Sequence, residues 1–239
     1  MLDACVLTIA RNSDDYLELC IRAVAPYVKR VRITVDSRST DRTWSVAKRL
    51  REEFLNVEVN WFPVKQPSTD LVAMRNSQLG FPEKWGVIVD SDELHPFIDE
   101  LRPLDADSYA LQCWAVWNAT LAHKQSSQSK IGRIFKNYPD LEWRGPFNKE
   151  TLFNGKKRVF EDAILLPYRY IHFTHIKKDS WRAEMNKTRV ADSRSLTPMP
   201  EDIIRIIQRT CEKVPNVRFR EAEGKSSRYG KEPTREFVT

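Results

Sequence analysis

The feature that most constrains the fold is a rhythm in the first ninety residues. Four short apolar runs, Cys5 to Ala10, Val31 to Val35, Val57 to Phe62 and Val87 to Val89, alternate with amphipathic segments. Runs this apolar suit strands covered on both faces, with helices as crossovers between parallel neighbours. From Asp14 to Val28, Leu17, Ile21, Val24 and Val28 share one helical stripe. Ser37 to Thr40 reads as a polar loop in which Ser39 or Thr40 caps a helix, with Asp41 in its first turn. Trp44, Ala47, Leu50 and Phe54 form that helix's inner face, and Asp70 to Leu79 reads as a third, short helix. The order predicts an α/β fold with a mostly parallel central sheet flanked by helices. Ligands of such sheets bind beyond the carboxyl ends of the strands. Ala10-Arg11-Asn12, Asp36 and Asp90-Ser91-Asp92 are therefore expected to converge on one crevice.

The second half is mixed. Tyr109 to Trp117 alternates like an antiparallel strand, Ile131 to Phe135 reads as another, and Val159 to Thr174 includes strand. Ser180 to Ser195 and Glu201 to Lys213 read as C-terminal helices, the second with an Ile203, Ile204, Ile207 and Cys211 stripe. The expected organisation is one domain over 1–215, with a polar, flexible tail over 216–239. Cys5, Cys20, Cys113 and Cys211 lie far apart among apolar neighbours, as buried free thiols do. No apolar run reaches the length of a membrane span, and Asp3 stands where a secretory signal would carry a base. A cytoplasmic location is expected.

Charge is unevenly spread. The chain has 39 Lys+Arg and 33 Asp+Glu, net +6, yet residues 125–190 alone hold 14 bases against 7 acids. That half should attract anions, an acidic glycan or the inner face of an anionic membrane among them. Lys156-Lys157-Arg158 is its densest cluster, although a solvated hairpin tip would look the same.

Asp90 and Asp92 in a bend after a buried strand can both face one cation, and Mg or Mn prefers such oxygen ligands. The pattern is common, and a loop or helix cap would also use it. Asp36 ends the second strand, precedes the capping residues and is free to meet a ligand. His172 and His175 alternate faces if extended, so one of them can complete a metal site.

Taken together, these blocks resemble inverting family 2 glycosyltransferases of the GT-A fold, closest to the lipopolysaccharide-core glucosyltransferase-like branch. The matching blocks are Ala10-Arg11-Asn12-Ser13-Asp14-Asp15-Tyr16-Leu17, Asp36 to Thr43, Arg75-Asn76 and Asp90-Ser91-Asp92-Glu93, followed by Arg133-Ile134-Phe135 and His172-Phe173-Thr174. The resemblance implies a nucleotide-sugar-binding half over 1–95, an acceptor half over 96–178 and C-terminal helices over 180–215. It implies donor contacts from Ala10, Arg11, Asp36, Arg75, Asp90 and Ser91. It implies a divalent cation, Mn or Mg, on Asp92 and His172. It also implies a nucleotide diphosphate-sugar donor and a glycan or lipid-linked acceptor.

Two departures stand out. Arg38 replaces a usual glycine, which matters if that position needs a positive φ. Gly145-Pro146-Phe147-Asn148-Lys149 lacks the His and Glu of the matching stretch, leaving Glu150 as the first candidate catalytic base, ahead of Glu93, Glu161 and Asp162. Two other classes remain open. A metal-dependent nucleotidyl or phosphoryl transferase would also use paired aspartates, but would want a third carboxylate or a glycine-rich loop. A basic nucleic-acid-binding protein would suit the pI near 9.1, but no recognition helix or stacking motif stands out, so nucleic acid is not an expected partner.

Overall fold

The structure, a computed structural model, describes residues 1–14, 16–65, 67–101, 104–116, 121–124, 131–146, 149–173, 197–198, 201–213, 218–222 and 234–238. The first half runs β1 (Leu2–Ala10), α1 (Leu17–Val24), β2 (Val28–Asp36), α2 (Thr43–Glu53), β3 (Val57–Phe62), α3 (Pro67–Asn76) and β4 (Trp85–Ile88). The second half adds β5 (Glu93–Leu94), β6 (Ser108–Val116), β7 (Leu121–Lys124), β8 (Ile131–Lys136), β9 (Leu141–Arg144), β10 (Thr151–Asn154), β11 (Lys157–Arg158), β12 (Ile164–His172) and β13 (Thr197–Pro198). The described C-terminal elements are α4 (Glu201–Lys213), β14 (Arg218–Ala222) and β15 (Thr234–Val238).

The central sheet has the path β3-β2-β1-β4-β8-β6-β7-β13. Its first four strands are mutually parallel. β8 joins antiparallel to both β4 and β6, and β12 runs parallel to β6 while pairing antiparallel with β5. This is a Rossmann-like α/β fold. β9, β10 and β11 form a separate small sheet.

The apolar runs are buried as their composition requires: Val6, Ile33, Val35 and Val87 are fully enclosed. Leu17, Ile21 and Val24 face the core from α1, and Ala47 and Leu50 from α2.

Several boundaries differ from expectation. The first helix stops at Val24, because a tight turn through Ala25–Tyr27 carries Pro26, which has no amide N–H to extend the ladder. β2 consequently starts at Val28 and not Val31. α2 starts at Thr43, and Asp41, not Ser39 or Thr40, receives its Thr43 N–H at 3.0 Å. α3 lies three residues earlier than expected, at Pro67–Asn76. α4 has the expected bounds. The segment from 216 onward, read as a flexible tail, contains β14 and β15, which pair antiparallel with Phe219 opposite Phe237. The expected helix over 180–195 lies outside the described residues. Cys5, Cys20 and Cys113 are buried free thiols.

Candidate functional site

Ala10 and Val35 are register partners at the ends of β1 and β2, and Leu7 pairs with Ile88 two residues before Asp90. The parallel register therefore brings Ala10, Asp36 and Asp90-Ser91-Asp92 to one end of three adjacent strands. Loops tie these ends together. Ser13 Oγ lies 2.8 Å from Ser91 Oγ, and the Ser13 N–H donates to Thr43 Oγ1 at 2.7 Å. The Thr40 N–H donates to Asn12 Oδ1 at 2.9 Å, and the Asp14 N–H to Asp41 Oδ2 at 3.1 Å. Asn12 is held at φ 45, the left-handed region that Asn tolerates better than most residues.

Arg38 needs no positive φ, so its replacement of glycine strains nothing. It does change Asp36. The Arg38 N–H and Nε donate to Asp36 Oδ1 at 2.8 and 3.0 Å, and Nη2 donates to Oδ2 at 2.5 Å. Asp36, expected to be free for a ligand, is therefore buried beneath its own loop's guanidinium. The bond to Asp36 raises the Arg38 pKa further, although burial opposes it.

A line of alternating charges crosses the site. Arg75 Nε lies 3.5 Å from Glu150 Oε1, and its Nη2 donates to Asp90 Oδ1 at 3.3 Å. Arg133 Nη2 approaches Asp90 Oδ2 at 3.5 Å and donates to Glu93. Glu93 Oε2 lies 3.3 Å from His95 Nε2. Burial alone would raise the Glu93 pKa, but Arg133 and His95 hold it down to about 2. Burial lowers that of His95 despite Glu93. Aromatic rings back both arginines: Arg75 sits over Trp143 at 5.1 Å and Arg133 over Tyr170 at 5.0 Å. Asn76 fixes the first of these platforms. Its Oδ1 accepts the Trp143 N–H at 2.7 Å, and its Nδ2 donates to the Trp143 carbonyl at 3.0 Å.

Glu150 is largely enclosed, with a side chain 11% exposed, and its Oε2 has no hydrogen-bond partner among the described residues. Glu161 and Asp162 are exposed, and Glu93 is committed to Arg133. Asn148, Thr174 and His175 lie outside the described residues. Arg11 is exposed beside the crevice, where its carbonyl accepts from Ser13 Oγ at 2.9 Å.

Asp92 Oδ2 and His172 Nε2 stand 3.4 Å apart, since β12 ends at His172 opposite Glu93 and the Phe173 N–H donates to the Asp92 carbonyl at 2.8 Å. Burial pulls the His172 pKa down, but the Asp92 carboxylate outweighs it and lifts it to about 10. A carboxylate oxygen and an imidazole nitrogen this close fit a small divalent cation, which would take the place of the imidazole proton. No group of three or more such side chains gathers among the described residues, so water and ligand oxygens would supply the rest, as Mg commonly accepts.

Arg133, Tyr170 and Ser13 have contacts at this site that residue types alone did not expose. The nearest signal was the Arg133-Ile134-Phe135 block, which carried no assigned chemistry.

No protein-family model matches the chain, and no curated protein matches it. Among solved structures it is similar to S. aureus TarS 1-349, at 18% identity over 57% of this chain and 47% of that one, TM-score 0.40. The same fragment in complex with UDP gives 19% identity over the same shares, TM-score 0.39. It is also similar to the inositol-1-phosphate CTP transferase from T. maritima, at 6% identity over 89% and 98% of the two chains, TM-score 0.47. The chain thus spans about half the length of the TarS fragment. At these values the likeness carries no chemistry.

Proposed function

We propose that this chain is a metal-dependent, inverting glycosyltransferase that moves a sugar from a nucleotide diphosphate-sugar to an acceptor hydroxyl. The observation that carries the reading is the meeting of Asp90-Ser91-Asp92 with the ends of β1 and β2, Asp92 facing His172 and Asp90 linked through Arg75 to Glu150.

Arg75 and Arg11 suit the donor's phosphates, and Asp90 its ribose or bound water. Asp92 and His172 would hold the cation, which when bound stabilises the negative charge of the leaving diphosphate. Glu150 takes the acceptor hydroxyl's proton. The acceptor oxygen then bonds the anomeric carbon from the face opposite the diphosphate, which leaves with the bonding electron pair. Glu150 suits this role because Arg75 flanks one carboxylate oxygen while the other has no partner among the described residues. A glycan or lipid-linked acceptor matches the basic second half, whose Lys156, Lys157 and Arg158 are exposed at the β10–β11 tip.

Donor turnover with manganese, followed as release of nucleoside diphosphate, tests the reading. Asp92→Ala is expected to lower the rate by about 10²–10³-fold. Full metal-dependent transfer by that variant would remove Asp92 from the mechanism. Release of pyrophosphate from a nucleoside triphosphate would favour nucleotidyl transfer instead.

A further inference from the structure

The pairing of Arg38 with Asp36 changes what the end of β2 offers a ligand. A bare carboxylate only accepts hydrogen bonds. A guanidinium only donates, through five N–H groups in a planar fork. Asp36 engages Nε and one Nη2 hydrogen. The outer edge of the fork, formed by Nη1 and the second Nη2 hydrogen, has no hydrogen-bond partner among the described residues; the Asp70 carboxylate acts on the guanidinium only through its charge, and the side chain remains 30% exposed. Asp36 in turn holds the guanidinium plane through both of its oxygens, so the outer edge is oriented in advance. The loop that carries Arg38 is tied to the β1 end through Thr40 and Asn12, which keeps the fork at the mouth of the crevice.

We infer that Arg38, oriented by Asp36, selects the base of the donor nucleotide for a ring edge with two adjacent acceptors. The inference rests on the transferase reading above and adds the donor's base class to it. Guanine offers such an edge at O6 and N7, a pairing arginine makes in bidentate fashion. Cytosine offers another at O2 and N3. Uracil does not, because its N3–H donor separates the two carbonyls. Adenine does not, because each ring acceptor on its polar edge neighbours the N6 amine. An uncovered Asp36 would have the reverse preference, accepting the uracil N3–H.

Calorimetric titration of the full chain with GDP, CDP, UDP and ADP, each with manganese, tests this. GDP or CDP is expected to bind at least about tenfold more tightly than UDP and ADP. Arg38→Gly is expected to reverse the order in favour of UDP. Arg38→Lys keeps the positive charge without the fork, and is expected to bind the diphosphates with no base preference. Far-ultraviolet circular dichroism establishes that each variant is folded, and the lysine variant carries the test should the glycine variant fail to fold. Equal binding of all four by the parent chain, or an order unchanged by both substitutions, would overturn the inference while leaving the transferase reading standing. Binding of none of the four would overturn both.

Discussion

Arg133 illustrates what an enclosed charge demands of its neighbours. Its guanidinium meets Glu93, whose side chain is fully buried, and rests on the Tyr170 ring. Removing one member of such a pair strands the other charge without water. Arg133→Met is therefore expected to destabilise the fold by about 3–5 kcal/mol, read as a lower urea midpoint. Adding Glu93→Gln should recover part of that loss, and a double variant as weak as the sum of the singles would show that the two side chains are not coupled. Arg38 and Asp36 form a more accessible version of the same pairing. There the sequence shows a carboxylate two residues before an arginine, but only the turn's geometry makes the two meet.

The Phe135 ring of β8 lies over Gly86, its register partner on β4, in space that a side chain at Gly86 would fill. A Cβ added there would overlap the ring of Phe135, which is fully buried. Gly86→Ala is expected to cost about 1–3 kcal/mol, and combining it with Phe135→Leu should relieve the clash. Thermal melts of the single and double variants check this. Helices α1 and α2 are joined differently, by Glu18, Arg22, Arg49 and Glu53. The bond from Arg22 holds the Glu53 pKa below its ordinary 4.5, against an opposing effect of burial. A carboxyl depressed in the folded state contributes stability above its unfolded pKa and loses it as pH falls through the folded one. Glu53 is 44% exposed, so solvent screening limits the contribution to roughly 0.2–1 kcal/mol. Melts taken from neutral pH downward should show Glu53→Gln with a shallower acid loss than the parent; parallel curves would remove Glu53 from the acid response.

At the scale of the whole molecule, the basic excess of residues 125–190 includes the exposed β10–β11 tip, where Lys157 already pairs with Asp162 at 3.1 Å. Vesicles containing anionic lipid are expected to retain the chain more than neutral vesicles, with retention falling as salt rises. Lys156→Glu with Lys157→Glu should abolish the difference, and equal sedimentation with both vesicle types would dismiss the surface. No helix among the described residues is long and apolar enough to cross a membrane. The first-half architecture was legible in the sequence because buried parallel strands must be apolar throughout, and because polar clusters at their ends have few other places to go. Pro26 ends α1 early, yet the apolar stripe runs past it to Val28 and masks the break. The second half was less legible, because its partners lie far along the chain: β5 pairs with the end of β12, and Arg133 reaches Glu93 across 40 residues. By itself, the sequence determined which segments could be buried and which end of the sheet would gather acids. Only the tertiary structure decided that Asp36 is covered and that Glu150 is enclosed beside Arg75. Burial pattern is a property of neighbouring residues, whereas charge pairing depends on the register of strands brought together by folding.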